Sequence, residues 1–132
     1  MKKRILFLCT GNAARSQMAE AIATAFHGEV VDAVSAGSRP AGFVHRSAIR
    51  AMAEVGVDIA DAESKGADRF LDQAFDVVVT VCDSAAQDCP LWPGATRLEH
   101  WPIEDPSFAG YDGFLETRKE LERRIGELVK TL

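Results

Sequence analysis

The residues with the clearest chemical potential lie near the start of the chain, where Arg15 follows Cys9 by six positions. They enclose a short loop between an apolar run and a helical pattern. A turn from a strand into a helix directs backbone N–H groups and the positive end of the helix dipole at one place, which suits an anion. Arg15 adds a planar guanidinium that can hold two oxygens of a tetrahedral oxyanion. The predicted oxyanion-binding residues are Thr10, Gly11, Asn12, Ala13, Ala14, Arg15 and Ser16.

The same surroundings favour a reactive Cys9. A helix N-terminus and a nearby cation stabilise the thiolate, which is the nucleophilic form of cysteine. A thiolate beside a bound oxyanion is a nucleophile aimed at its electrophile. The alternative is that Cys9 only packs at the end of a buried strand. Other phosphate loops do not fit, because the segment lacks both the Gly-Lys-Ser/Thr of a triphosphate loop and the second and third glycines of a dinucleotide site.

A second pair of thiols, Cys82 and Cys89, lies seven positions apart in a polar segment. The spacing is wider than the roughly two to four intervening residues of a zinc half-site, and no histidine has companion spacing, so we predict no metal. Structural disulfides are rare in a reducing compartment. The pair is therefore interpreted as redox-active, with two incidental loop cysteines as the alternative.

Strand and helix patterns alternate along the chain, which predicts an α/β, single-domain, three-layer fold with a parallel sheet covered on both faces. Ligands bind at the carboxyl ends of such strands, where Cys9, Ser35 and Cys82 are placed. The predicted strands are Ile5–Cys9, Val30–Ser35, Phe75–Val81 and Thr96–His100, with Phe75–Val81 central. The predicted helices are Ser16–Phe26, Arg46–Val55 and Gly113–Leu132, with a short one at Asp68–Gln73.

The buried faces of these helices follow from spacings of three and four. The first helix would bury Met18, Ile22 and Phe26, and the second Ile49, Met52 and Ala53, with Gly56 as its stop. The last helix would bury Phe114, Leu121, Ile125, Leu128 and Leu132, with one turn skipped at Arg118.

Composition narrows the function classes. At 132 residues, 47% apolar and 27% charged, the chain has the size and balance of one ordinary globular domain spanning residues 1–132. A net charge of −5 argues against nucleic-acid binding. The apolar run after the basic start is too short for a signal peptide or a membrane span. We therefore expect a cytoplasmic protein. As separate expectations, the protein is a monomer and holds no bound cofactor.

The segment Cys9–Glu20, CTGNAARSQMAE, resembles the signature of the low-molecular-weight tyrosine phosphatase superfamily and, more narrowly, its thioredoxin-coupled arsenate reductase branch. The similarity implies a four-stranded parallel sheet flanked by helices, with the active site in the first loop. Further similar segments are Ser35–Gly37, Ala48–Ile59, Val78–Pro90 and Glu99–Pro106.

The resemblance implies a relay of three thiols. Cys9 binds arsenate, Cys82 attacks Cys9 and expels arsenite, and Cys89 then attacks Cys82 to leave a disulfide that a reductase can reach. Thioredoxin is the implied electron donor, with mycothiol and glutaredoxin systems left open. One alternative is a phosphatase that hydrolyses phosphate monoesters through a phosphocysteine at Cys9, and another is a non-enzymatic oxyanion-binding module.

The resemblance also assigns supporting residues. The proton donor falls on Asp105 of an Asp-Pro pair, with Glu104 and His100 as alternatives. Asn12 would adopt the left-handed conformation of the cradle, braced by Ser35. Ser16 would either cap the helix or hydrogen-bond the thiolate.

Two positions depart from the family pattern. Ala14 stands where many relatives carry a further cysteine, which the relay does not need. Some reductases bind potassium through residues matching Asn12, Glu20, Ser35 and an acidic residue near position 65, which here is Lys65. The Lys65 ammonium can take the place of the cation and pair with Glu20, and a solvated surface lysine is the alternative.

Overall fold

The computed structural model describes residues 2–82 and 92–132. Within them, four parallel strands form one sheet in the order β2-β1-β3-β4, which confirms the predicted fold class. The strands are β1 (Lys3–Cys9), β2 (Val31–Gly37), β3 (Phe75–Thr80) and β4 (Ala95–His100). The α-helices are α1 (Arg15–His27), α2 (Arg46–Ala53) and α3 (Gly110–Val129), and short 3₁₀ turns lie at Ala67–Phe70 and Pro106–Ala109.

The two central strands form the core of the sheet, as their apolar runs predict. Residues Ile5–Cys9 of β1 are at most 2% exposed, because β1 is paired on both edges and covered on both faces. β3 lies beside it and is the other central strand. β4 is an edge strand with several exposed side chains, which explains its weaker sequence pattern.

Some predicted boundaries and buried positions are wrong. Val30 is 51% exposed and precedes β2, which continues to Gly37, so Ser35 lies inside the strand. Phe26 is also 51% exposed, because the last turn of α1 extends beyond the packed part of the helix. In α2 the inward stripe is Ala48, Ala51 and Met52, whereas Ala53 is exposed and Ile49 is half-buried.

The C-terminal helix α3 packs against both α1 and α2. It begins at Gly110 and ends at Val129, so the prediction that Leu132 lies on its buried face is wrong. At Arg118 the apolar spacing of the helix is interrupted, and the neighbouring Thr117 takes the buried position there, with 7% of its surface exposed. Arg118 itself donates from Nη1 to the Ala51 carbonyl at 2.8 Å, so the charged side chain ties α3 to α2.

Two smaller predictions concern the connections. The predicted short helix at Asp68–Gln73 is the 3₁₀ turn Ala67–Phe70. Gly56 has a φ of 78° and its N–H donates to the Ala53 carbonyl at 3.0 Å, which confirms it as the stop after α2. None of the helices in the described ranges combines the length and apolar composition that a membrane span requires.

The carboxyl end of β2 supports the loop after β1. A Cβ atom added at Gly37 would lie 2.5 Å from the Thr10 carbonyl oxygen and 2.9 Å from the Asn12 backbone nitrogen. The next residue, Ser38, donates its N–H to the Cys9 carbonyl at 3.1 Å. Only glycine therefore allows the loop to approach β2 this closely.

We expect Gly37→Ala to destabilise the protein by about 1–3 kcal/mol, because the added methyl group would collide with loop backbone. The matched control is Gly126→Ala in α3, where a Cβ would meet nothing within 4 Å. That change should stabilise the protein by about 0.5–1 kcal/mol through helix propensity. Urea unfolding measures both. An unchanged free energy of unfolding in Gly37→Ala would contradict the close approach.

Candidate active site

The loop between β1 and α1 has the shape predicted for an anion cradle. Asn12 is the one non-glycine residue with positive φ among the described residues, at 49°. The N-cap of α1 is Ala14, and no side chain caps the helix. The suggestion that Ser16 caps the helix is therefore wrong, and the first N–H groups of α1 are left for a ligand.

Cys9 lies at the base of this cradle and is 2% exposed. Its Sγ accepts a hydrogen bond from the Asn12 N–H at 3.2 Å and is hydrogen-bonded to Ser16 Oγ at 2.8 Å. These contacts hold the sulfur at the base of the cradle, beside the start of α1. The structure thus selects the second role predicted for Ser16, contact with the sulfur.

Asn12 is completely buried and connects the loop to its surroundings. Its Nδ2 donates to Ser16 Oγ at 2.7 Å and to Ser35 Oγ at 3.0 Å. Its Oδ1 accepts from Gln17 Nε2 and from the Lys65 backbone N–H, both at 2.8 Å. The predicted bracing by Ser35 is present, and the side-chain amide bonds hold Asn12 in its left-handed conformation.

A second chain of contacts continues from Ser35 to a partly buried ion pair. Ser35 Oγ donates to Glu20 Oε1 at 2.7 Å, and the Lys65 Nζ lies 3.5 Å from the same oxygen. Nζ also donates to the Glu63 carbonyl at 3.0 Å, and the Lys65 side chain is only 13% exposed. The alternative of a freely solvated Lys65 is therefore wrong.

Gln17 is a site residue that the sequence analysis missed. It is 1% exposed, and besides Asn12 its Nε2 contacts the Glu63 carbonyl at 2.7 Å. The sequence signal was a glutamine directly after the loop, immediately before the core residue Met18. A lone polar residue in a helical pattern is usually placed on the outer face, which is why the pattern alone did not identify it.

Cys9 opens into a cavity of about 280 Å³. Besides the loop, its walls come from the start of α2, the second 3₁₀ turn and α3. The lining side chains that matter for the chemistry are Cys9, Arg15, His45, Asp105, Ser107 and Phe114. The volume and the loop's donors suit a small tetrahedral oxyanion.

A neighbouring cavity of about 520 Å³ contains Cys82. Thr10, Arg15 and Asp105 line both cavities, so the two share a wall. Thr10 Oγ1 and Cys82 Sγ are hydrogen-bonded at 3.3 Å, and Cys82 is 5% exposed. The structure therefore places the Cys82 thiol at the edge of the loop that begins at Cys9. Cys89 lies outside the described residues.

Asp105 faces the Cys9 cavity, as predicted. Its Oδ1 accepts hydrogen bonds from the Ser107 N–H at 3.0 Å and from Ser107 Oγ at 2.7 Å. Partial burial raises the pKa of Asp105, but the hydrogen bonds from Ser107 and the positive charge of Arg15 outweigh it, so the pKa lies below its usual range. Asp105 is thus a carboxylate in the free protein.

The alternative proton donors are placed less well. Glu104 lines the Cys82 cavity but not the Cys9 cavity. His100 lines neither cavity, and its Nδ1 is 2.8 Å from Thr80 Oγ1. Arg15 is held across the site, because its Nη1 donates to the Ile103 carbonyl at 3.0 Å. In residues 2–82 and 92–132, no group of three or more His, Cys, Asp or Glu side chains is arranged to hold a metal ion.

Comparison with known proteins places this site in a family. Residues 4–132 match the family described as low molecular weight phosphotyrosine protein phosphatase. An arsenate reductase of Brevibacillus brevis is 40% identical over 130 residues, which cover 98% of this chain and 96% of that protein.

Two solved structures have the same fold. An arsenate reductase in the phosphate-binding state superimposes with a TM-score of 0.87 at 32% identity, with 98% of each chain covered. The thioredoxin-dependent arsenate reductase of Corynebacterium glutamicum gives a TM-score of 0.79 at 34% identity, covering 98% of this chain and 61% of that one. These similarities confirm the resemblance carried by Cys9–Glu20, and the chain belongs to the low-molecular-weight phosphotyrosine protein phosphatase family.

Proposed function

We propose that this protein reduces arsenate to arsenite by a relay of three cysteine thiols, with thioredoxin as the electron donor. The observation that carries the proposal is the position of Cys82, hydrogen-bonded to Thr10 in a cavity that shares a wall with the Cys9 cavity. A phosphatase needs one thiol at its cradle. A second thiol at the edge of the same loop is needed only in a redox reaction, in which electrons pass from the thiols to the substrate.

Binding of the oxyanion follows from the loop. The uncapped start of α1 and the loop N–H groups attract the anion, and the Arg15 guanidinium can hold two of its oxygens. The Asp105 carboxylate opposes this attraction, so an oxyanion that carries a proton enters more easily. Dihydrogen arsenate carries two protons: one can pass to Asp105, which then holds it, and the other stays on the hydroxyl group that will leave.

In the first step the Cys9 thiolate attacks arsenic(V) and forms a sulfur–arsenic bond. The departing hydroxyl group takes the proton from Asp105 and leaves as water, which is the general-acid role predicted for this residue. The Cys82 thiolate then attacks Cys9 Sγ. A disulfide forms, the electron pair of the sulfur–arsenic bond passes to arsenic, and arsenite with arsenic(III) departs.

The remaining steps restore the enzyme. Cys89 attacks Cys82 and releases Cys9 as a thiolate, and thioredoxin reduces the Cys82–Cys89 disulfide with two electrons. The thioredoxin-dependent relative from Corynebacterium glutamicum supports this choice of donor. The relay needs no bound cofactor. We propose that the protein works as a monomer in the cytoplasm, where thiols stay reduced.

A second candidate is hydrolysis of phosphate monoesters through a phosphocysteine at Cys9, with Cys82 idle. The family description favours it, and the cradle and Asp105 fit a phosphate ester as well as arsenate. Phosphorus(V) does not accept two electrons from thiols, so this reaction would end in hydrolysis. The two candidates therefore differ in what Cys82 and Cys89 do.

Substitution of each thiol separates the candidates. With thioredoxin, thioredoxin reductase and NADPH, the wild type should oxidise NADPH when arsenate is added, whereas Cys82→Ser and Cys89→Ser should not turn over. Hydrolysis of an aryl phosphate serves as the control, because it needs Cys9 but neither of the other thiols. If the wild type hydrolyses aryl phosphate but shows no arsenate-dependent NADPH oxidation, the protein is a phosphatase.

The second prediction concerns the charge of Asp105. Ser107→Ala removes one of its hydrogen bonds, so the pKa of Asp105 should rise toward its ordinary value, as measured by a ¹³C NMR titration of the carboxyl carbon. The stability contributed by ionised Asp105 is complete above its unfolded-state pKa and is lost as the pH falls through the folded pKa. Ser107→Ala should therefore lose this contribution at a higher pH than the wild type.

The control for that titration is Thr131→Ala, whose hydroxyl bonds the Leu128 carbonyl and which lines neither thiol cavity. It should leave the Asp105 pKa unchanged. An equal Asp105 pKa in Ser107→Ala and the wild type would contradict the assigned cause.

The third prediction concerns potassium. The Lys65 ammonium lies where a cation would pair with Glu20, so these residues do not fit a potassium ion, and we propose that Lys65 replaces it. Arsenate turnover should be equal in potassium and sodium buffers. Lys65→Met removes the charge and should lower kcat/KM, whereas Lys119→Met, at a side chain that is 64% exposed, should not. A large loss of wild-type activity in sodium would refute the replacement.

A further inference from the structure

His45 is a residue of the Cys9 cavity that the relay does not use. It is the N-cap of α2, and it lines the cavity together with Cys9, Arg15 and Asp105. Its backbone N–H donates to the Ala13 carbonyl at 2.7 Å, so the residue is tied directly to the oxyanion loop. Its place at the site therefore depends on the same loop that binds the ligand.

The cap fixes which ring nitrogen carries the proton. Nδ1 accepts a hydrogen bond from the Ser47 N–H at 3.1 Å, and a nitrogen that accepts has no proton. The neutral imidazole must then carry its proton on Nε2. Because the cap of α2 uses Nδ1, the N–H donor of the ring is Nε2, on a residue that lines the cavity.

The ring is also held in place by packing. Its centroid lies 4.6 Å from the centroid of Phe114, which is 2% exposed and lines the same cavity. With the backbone bonded to Ala13 and Nδ1 bonded to Ser47, the imidazole is fixed before a ligand arrives. A donor that needs no reorganisation contributes more to binding than a mobile one.

The charges in the cavity explain why a further hydrogen-bond donor would help an anion to bind. Asp105 is a carboxylate in the same cavity and repels an incoming oxyanion, while Arg15 attracts it. His45 lines the same cavity as this carboxylate, so the two side chains lie near the same bound ligand. An N–H donor on this wall offsets the repulsion that Asp105 imposes.

We propose that His45 is a further oxyanion-binding residue, whose Nε2–H donates a hydrogen bond to an oxygen of the bound arsenate or phosphate. This assignment rests on the proposed function for the identity of the oxyanion, but not for the binding itself. The same side chain would then have two roles: it caps α2 through Nδ1 and binds the ligand through Nε2.

Two substitutions separate the capping role from the ligand-binding role. The side-chain amide of His45→Asn can take the place of Nδ1 and keep the cap, because asparagine is a favoured N-cap residue, but it does not reach the place of Nε2. The longer His45→Gln can place its amide nitrogen near the position of Nε2 while the cap is lost. Inorganic phosphate is the probe, with its Kd measured by calorimetry, and thermal unfolding reports on the cap.

His45→Asn should unfold at the wild-type temperature and bind phosphate about tenfold more weakly, since a hydrogen bond to a charged group is lost. His45→Gln should unfold at a lower temperature and keep the wild-type Kd. A role limited to capping predicts the reverse order of affinities. The proposal requires the stated order, and any other order of the two Kd values overturns it.

The KM for arsenate should follow the same order, with kcat changing less. If the phosphate Kd values follow the stated order but no variant or wild type reduces arsenate, the assignment of His45 stands and the proposed function fails. If arsenate is reduced but the phosphate Kd does not depend on the residue at position 45, the proposed function stands and the assignment of His45 fails.

Discussion

The left-handed turn at Asn12 sets the shape of the oxyanion loop. Its φ of 49° turns the chain so that its own N–H meets Cys9 Sγ, and its buried amide bonds Ser16 and Ser35. An L-residue enters this conformation at some cost, and the surrounding hydrogen bonds offset it. Gly37 makes room for the turn at the end of β2. The loop is therefore shaped before an oxyanion binds.

The site concentrates positive potential within an acidic protein. The chain has a net charge of −5, yet the start of α1 and Arg15 converge on one small cavity. Asp105 is the opposing charge, and the bonds from Ser107 keep it ionised until a proton is available. A site that attracts an anion while holding a proton acceptor beside it can bind the substrate and protonate its leaving oxygen in turn.

Much of this arrangement could be predicted from the sequence, because the strands and the loop follow local rules. The apolar run to Cys9, the loop and Arg15 are consecutive, so their chemistry was visible without tertiary information. Gln17 and His45 were not recognised, because their roles arise from contacts with residues distant in the chain, Glu63 and Phe114. The exposure of Phe26 could not be predicted for the same reason: helical spacing does not show how far along the helix the packed surface extends.

The central claim is that Cys82 reaches Cys9 and carries electrons away from it. A single turnover by reduced Cys89→Ser, given arsenate without thioredoxin, tests this directly, because the relay stops after the second thiol. The account predicts one arsenite released per protein and a disulfide between Cys9 and Cys82, identified by mass spectrometry of peptides. Release of no arsenite, with Cys9 and Cys82 both still alkylated as free thiols after the reaction, would contradict it.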